Sequence, residues 1–107
     1  MATYEVCRVE QLIEGRGRPV RAAGRYLAAF LVDGTVHVID NVCLHVESPL
    51  DGGPVVDGRV ICPWHGWTYD LATGELLTAF GPRPGLRVYP VAVEHGVVSI
   101  AIDDPAD

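Results

Sequence analysis

The stretch that decides the fold is residues 43–74, CLHVESPLDGGPVVDGRVICPWHGWTYDLATG. It contains two motifs, Cys43-x-His45 and Cys62-x-x-His65, each pairing one cysteine with one histidine. Sixteen residues lie between His45 and Cys62. Each motif stands where a predicted strand gives way to a loop. Two such loops, brought together by a hairpin, would present four side chains to one site.

Thiolates and imidazoles together suit either zinc or an iron–sulfur centre. Zinc sites usually take two cysteines from one loop and two histidines from another. Here each loop supplies one cysteine and one histidine, which suits a two-iron cluster in which one iron takes both cysteines and the other both histidines. The pattern therefore favours an iron–sulfur cluster, and a zinc-binding structural module is the alternative.

Beyond these four residues, the stretch closely resembles the Rieske family. The resemblance implies one [2Fe–2S] cluster per chain, with Cys43 and Cys62 on a buried ferric iron. His45 and His65 would hold the outer iron, which takes the electron. The other positions that carry the resemblance are Pro49-Leu50, Gly52-Gly53, Pro63-Trp64, Gly66, Tyr69-Asp70 and Thr73-Gly74.

The resemblance also indicates how the cluster is tuned. Two neutral imidazoles in place of two thiolates leave the oxidised site uncharged, so its potential lies within roughly −150 to +300 mV. Some family members join the two loops by a disulfide, but Ser48 and Trp64 occupy the matching positions here. High-potential members carry a serine where this chain has Trp67, while Tyr69 keeps their tyrosine. Because hydrogen bonds to sulfur stabilise the reduced form, the loss of one hydroxyl predicts the lower part of the range.

Glycine and proline in the same region predict close packing around the cluster. Gly52, Gly53 and Gly66 are expected to let backbone amides approach it. Residues 81–85, GPRPG, resemble the proline loop that covers the cluster in this family. The cluster-binding subdomain is therefore placed at about residues 41–85.

Outside this region the sequence reads as strands and turns. Residues 25–32 and 35–40 flank Asp33-Gly34, and residues 87–94 and 97–102 flank His95-Gly96, which are hairpin signals. We predict a helical turn at residues 10–15 and a loop at 16–19. The fold class is all-β: a Rieske fold whose base is an antiparallel β-sandwich or small barrel, with an inserted cluster-binding loop subdomain. Residues 1–107 are expected to form one domain. Further strands are predicted at residues 4–9, 59–62 and 67–70.

Composition limits the partners. The net charge is −6, and residues 1–25 carry +2 while the rest carries −8. Nucleic acid is an unsuitable partner for such a chain, whereas a basic protein surface suits it. No signal peptide or membrane span is evident, so we expect a cytoplasmic monomer. His37 and His95 are interpreted as structural residues, and Cys7 as a buried small hydrophobe.

No nucleophile, general base or substrate pocket is evident, so we predict an electron carrier that is not itself an enzyme. The resemblance to Rieske ferredoxins implies a flavin-dependent ferredoxin reductase and a terminal oxygenase, such as a dioxygenase, as partners. A small subunit of a nitrite-reductase-type enzyme is the alternative. A full-length aromatic-ring oxygenase subunit is not expected, because a chain of 107 residues lacks room for its catalytic iron domain.

Overall fold

The computed structural model describes residues 2–43, 49–64, 66–78 and 85–102. Within these ranges the regular structure is ten β-strands and a single 3₁₀ turn, Val9–Gln11. The all-β prediction is therefore confirmed. The strands are β1 Ala2–Arg8, β2 Gly17–Ala22, β3 Arg25–Val32, β4 Thr35–Asp40, β5 Val55–Val56, β6 Arg59–Ile61, β7 Thr68–Asp70, β8 Val88–Tyr89, β9 Val91–Glu94 and β10 Val97–Ile102.

The strands form three antiparallel sheets, with the orders β1-β10-β9, β2-β3-β4-β8 and β5-β6-β7. Strands β4 and β8 are hydrogen-bonded neighbours in the second sheet, although the whole third sheet lies between them in sequence. The third sheet is therefore an insertion into the second. This is the inserted subdomain that the fold prediction required.

Both predicted hairpin turns are present. Asp33 and Gly34 have φ of 51° and 78°, and His95 and Gly96 have φ of 52° and 78°. Two consecutive positive φ values are characteristic of type I′ turns, which match the twist of the strands that they join. The sequence analysis missed two further turns of this kind, at Ala23-Gly24 and Asp57-Gly58.

Two predictions about the strands were wrong. Residues 16–19 were expected to be a loop, but β2 begins at Gly17. Pro19 is tolerated there because β2 is an edge strand of its sheet, where a missing N–H need not break the ladder. Residues 87–94 were expected to form one strand, but Pro90 separates β8 from β9, which lie in different sheets.

The hairpin of β3 and β4 is buried on both faces. Leu27 and Ala29 of β3 belong to one hydrophobic core, which we call the base core. Ala28 and Phe30 of the same strand belong to a second core, on the other face. Successive side chains of a strand point to opposite faces, so one continuous apolar run supplies both cores. We call the second the insert core; its buried members are Ala28, Phe30, Ile39, Cys43, Leu50, Val60, Cys62, Tyr69, Leu71 and Leu86.

Candidate metal centre

Two of the four predicted ligands lie together in the insert core. Cys43 follows the end of β4 and Cys62 directly follows β6, and their exposed fractions are 0% and 1%. The three cysteines of the chain are not joined in disulfides. His45 and His65 lie outside the described residues, as does Ser48. The structure therefore brings the two cysteines into one buried cluster.

Tyr69 of β7 places a hydroxyl group beside one of these sulfurs. Its oxygen lies 3.6 Å from Cys43 Sγ, within hydrogen-bonding distance for sulfur, and the side chain is fully buried. A thiolate can only accept a hydrogen bond, so Tyr69 is the donor when Cys43 is ionised. Buried thiolates and a hydroxyl donor inside an apolar core fit the cysteine-bound iron of a [2Fe–2S] cluster.

Backbone hydrogen bonds connect Cys62 to two residues that follow it in the chain. The Cys62 N–H donates to the Trp67 carbonyl at 2.7 Å, and the Gly66 N–H donates to the Cys62 carbonyl at 3.1 Å. Gly66 has φ of +75°, a left-handed conformation that favours glycine. Gly66 and Trp67 are thereby bonded to Cys62, directly after β6.

The two tryptophans beside this motif have different surroundings. Trp64 is 69% exposed, whereas Trp67 is half-buried and packs against the insert core. Core packing therefore accounts for Trp67. Trp64 presents a large aromatic surface to solvent, next to a predicted ligand.

Asn41 is a functional candidate that the sequence analysis missed. Among the described residues, Asn41 is the polar residue classed as buried. Its side chain forms hydrogen bonds with Leu50 and Asp51, which follow the first ligand motif in the sequence. Two signals were present in the sequence: its position two residues before Cys43, and its place directly after the apolar strand β4. Neither signal identifies partners nine and ten residues away in the sequence.

Gly53 and Gly85 allow close backbone contacts, whereas a Cβ on Gly52 or Gly66 would meet nothing within 4 Å. A Cβ on Gly53 would lie 2.2 Å from the Ile61 carbonyl oxygen, so this glycine lets the loop pack on β6. A Cβ on Gly85 would lie 2.2 Å from the Gly74 carbonyl oxygen, which also accepts the Leu86 N–H at 2.7 Å. Residues 81–84 of the predicted proline loop lie outside the described residues, so only its last glycine is placed.

A polar group of three residues joins the two strands that bracket the insertion. The Tyr89 hydroxyl of β8 donates to Asp40 Oδ1 at 2.6 Å, and Arg25 of β3 donates to the same hydroxyl at 3.0 Å. Burial raises the pKa of Tyr89, and the hydrogen bond to Asp40 raises it further, while Arg25 opposes both. The ionised form is therefore disfavoured, and Tyr89 remains a donor that holds β8 to β4.

The remaining histidines and cysteine are not members of the insert core. His37 is half-buried in β4, where burial lowers its pKa and the Asp70 carboxylate opposes the shift. His95 is exposed in a turn. Cys7 is half-buried against the base core, and burial raises the pKa of its thiol against the effect of Arg18. Cys7 was predicted to be buried, and it is only partly so.

Comparison with known proteins gives the same family. Residues 2–90 match the Rieske [2Fe-2S] domain. The ferredoxin component of the naphthalene 1,2-dioxygenase system of Pseudomonas putida is 29% identical over 91 residues, 85% of this chain and 86% of that protein. The chain belongs to the Rieske [2Fe–2S] domain family.

Solved structures share the fold over almost the whole chain. The Sphingomonas yanoikuyae B1 ferredoxin is 34% identical with a TM-score of 0.83, covering 92% of this chain and 97% of its own. A Mycobacterium tuberculosis protein, described as a putative NADH-dependent nitrite reductase small subunit, is 29% identical with a TM-score of 0.86, covering 96% of each chain.

Some relatives are much longer. The chain spans 16% of apoptosis-inducing factor 3 from Mus musculus, to which it is 33% identical over 89% of its own length. It spans 29% of 4beta-methylsterol monooxygenase from Methylococcus capsulatus, at 32% identity over 88% of its own length.

Family membership establishes the cofactor and the kind of chemistry. The domain holds one [2Fe–2S] cluster and acts as an electron carrier. Across the described residues, no helix has the length and apolar character needed to cross a membrane.

Proposed function

We propose that Cys43, His45, Cys62 and His65 hold the cluster, and that residues 1–107 form one domain that transfers single electrons. The observation that carries this proposal is the burial of Cys43 and Cys62 in one core, with the Tyr69 hydroxyl 3.6 Å from Cys43 Sγ. The bound cluster supplies the one-electron chemistry. The chain binds and orients it and keeps water away from its cysteine side.

The surroundings of the cysteines explain why the histidine side would exchange electrons. Cys43 and Cys62 are enclosed by apolar side chains, which exclude solvent and partners from that side. The second motif instead continues into a turn where Trp64 is 69% exposed. We therefore propose that a partner approaches from the Trp64 side.

The partners that we propose are a flavin-dependent ferredoxin reductase and a terminal oxygenase. The relative from Pseudomonas putida is named as a ferredoxin component of a dioxygenase system, and this chain matches most of its length. The chain is accordingly proposed as the carrier between two enzymes, with small, transient interfaces.

The second candidate is the small subunit of a nitrite-reductase-type enzyme. The observation that favours it is the TM-score of 0.86 to the Mycobacterium tuberculosis protein, over 96% of both chains. A subunit would remain with its large partner through purification, whereas a ferredoxin would purify alone. Affinity purification of the tagged chain from its native cells separates the two.

We further propose that the carrier is a cytoplasmic monomer. Thiol ligands persist in a reducing compartment, and a net charge of −6 opposes self-association. Size-exclusion chromatography with light scattering tests the oligomeric state.

Metal analysis and spectroscopy test the ligand set. We expect two iron and two sulfide per chain, a red-brown colour, and an EPR signal of the reduced protein with an average g below those of all-cysteine clusters. A zinc-binding module would be colourless. The variants Cys43→Ser and His45→Ser should shift or abolish the EPR signal, while Cys7→Ser and His37→Gln serve as matched controls that retain it. An unchanged spectrum in His45→Ser would remove that residue from the site.

A further inference from the structure

Asn41 connects three parts of the chain that are apart in sequence. Its backbone N–H donates to the Tyr26 carbonyl of β3 at 3.1 Å, which fixes it to the base. Its side-chain Oδ1 accepts the N–H groups of Leu50 at 2.7 Å and Asp51 at 2.9 Å. Its Nδ2 donates to Asp51 Oδ1 at 2.8 Å. The side chain is 8% exposed, so these bonds are shielded from water.

These bonds close the segment that contains the first ligand motif. Asn41 precedes Cys43 by two residues, and Leu50 and Asp51 follow His45 by five and six. The Asn41 side chain thus binds the residues that follow this segment, while the Asn41 backbone N–H ties the start of the segment to β3. Closing a segment in this way restricts its conformations before any metal binds.

We propose that Asn41 is a positioning residue for the cluster: it holds the Cys43–His45 segment in the conformation that binds iron. This inference rests on the proposed ligand roles of Cys43 and His45. Asn41 acts through the backbone of the segment and does not itself bind the metal.

The chemistry of the contacts requires an amide at position 41. Asn41 accepts two N–H groups through its oxygen and donates to a carboxylate through its nitrogen. An aspartate would still accept both N–H groups, but it would place a second carboxylate against Asp51. Exchanging the side chains at positions 41 and 51 restores a pair of one amide and one carboxylate, and the net charge of the protein is the same as in the wild type.

The test compares N41D, D51N and the double variant N41D/D51N as holoproteins. The measurements are the rate of loss of visible absorption in excess EDTA, the EPR g-values and the reduction potential. We expect N41D to lose its cluster about tenfold faster, because a hydrogen bond to a charged group is replaced by repulsion. D51N should stay within about twofold, since an amide oxygen also accepts from Nδ2, and the double variant should recover to within about threefold. Hydrogen exchange at the Leu50 and Asp51 amides should follow the same order.

Glu14→Ala provides the matched control. The Glu14 carboxylate accepts the Asp33 N–H at 2.6 Å and the Gly34 N–H at 3.4 Å, a comparable side-chain clamp on the β3–β4 turn. This variant should lower the thermal midpoint and leave the g-values and the potential unchanged.

Any one of three results would overturn the inference. N41D could lose its cluster at the wild-type rate with wild-type g-values, or it could lose its cluster no faster than E14A when the two variants have equal thermal midpoints. The double variant could also lose its cluster as fast as N41D. The Cys43→Ser and His45→Ser spectra test the ligand roles separately. If the ligands are confirmed and N41D behaves as wild type, only the role of Asn41 fails.

Discussion

The hydroxyl group of Tyr69 is predicted to affect the reduction potential of the cluster. The sequence indicated a tyrosine hydroxyl near the cluster, and the structure places it 3.6 Å from Cys43 Sγ in a fully buried position. A hydrogen bond to a ligand sulfur stabilises the more negative, reduced state. If Cys43 is a ligand, as we propose, Tyr69 is expected to raise the potential of a site that lacks the serine of high-potential members.

We predict that Tyr69→Phe lowers the reduction potential by about 40–60 mV. One hydrogen bond contributes about 1 kcal/mol, and a tenfold change in a one-electron equilibrium corresponds to about 59 mV. A redox titration followed by visible spectroscopy measures the shift. Tyr4→Phe on β1, in the base, is the control and should leave the potential unchanged. An equal or higher potential in Tyr69→Phe would show that its hydroxyl does not stabilise the reduced state.

At the scale of elements, the β3–β4 hairpin is the central support of the molecule. Its alternate side chains belong to the base core and the insert core, so it positions the ligand-bearing insertion on the base. The apolar run in the sequence predicted a strand there. That both faces are covered followed only from the structure, since an apolar run without alternation does not show what packs on each face.

Phe30 and Leu27 of β3 allow the two faces to be tested separately. Both are fully buried, Phe30 in the insert core and Leu27 in the base core. Truncation to alanine should cost about 3–5 kcal/mol for Phe30 and about 2–5 kcal/mol for Leu27, because each leaves a cavity. Both variants should unfold at lower temperature, measured by far-UV circular dichroism. Only Phe30→Ala should also accelerate cluster loss, measured at about 25 °C so that the protein stays folded. Equal acceleration in Leu27→Ala would show that the base core and the insert core do not act separately on the cluster.

The close approach of the backbone at Gly74 to the backbone at Leu86 is a second feature at the scale of elements. Gly74 has φ of +78°, and a Cβ there would lie 2.0 Å from the Leu86 carbonyl oxygen. Gly74→Ala should therefore destabilise by more than the roughly 1–2 kcal/mol that the left-handed conformation alone costs. Gly24→Ala is the matched control, because Gly24 has φ of +74° with nothing within 4 Å of the added Cβ. Thermal unfolding compares the two variants; equal midpoints would show that the Leu86 backbone moves aside freely.

At the scale of the whole molecule, charge is the property that bears on function. The net charge is −6, and the positive excess is confined to residues 1–25. Long-range attraction between an acidic carrier and a basic partner raises the association rate, and salt screens that attraction.

We predict that electron transfer to a small basic haem protein slows as NaCl rises from 0.01 M to 0.5 M. Over this range the Debye length falls from about 30 Å to below about 8 Å, so attraction between separated charges is largely lost. Stopped-flow absorbance measures the bimolecular rate. An acidic haem acceptor is the control and should show no such decrease. A rate that is independent of salt with the basic acceptor would contradict electrostatic steering.

The sequence alone determined the family, the cofactor and the all-β fold class of this protein. Two Cys–His motifs at fixed spacing carry ligand chemistry that few sites share, and turn dipeptides such as Asp33-Gly34 require local backbone conformations. These are local properties, so residue types a few positions apart suffice to state them.

Only the tertiary structure decided how the ligand segments are held. The clamp by Asn41, the close backbone approach at Gly74 and the two-sided burial of β3 each depend on groups that are brought together across many residues. Strand β2 was likewise missed, because the role of Pro19 depends on whether its strand lies at the edge of a sheet. Contacts of this kind arise from packing, which residue order does not display.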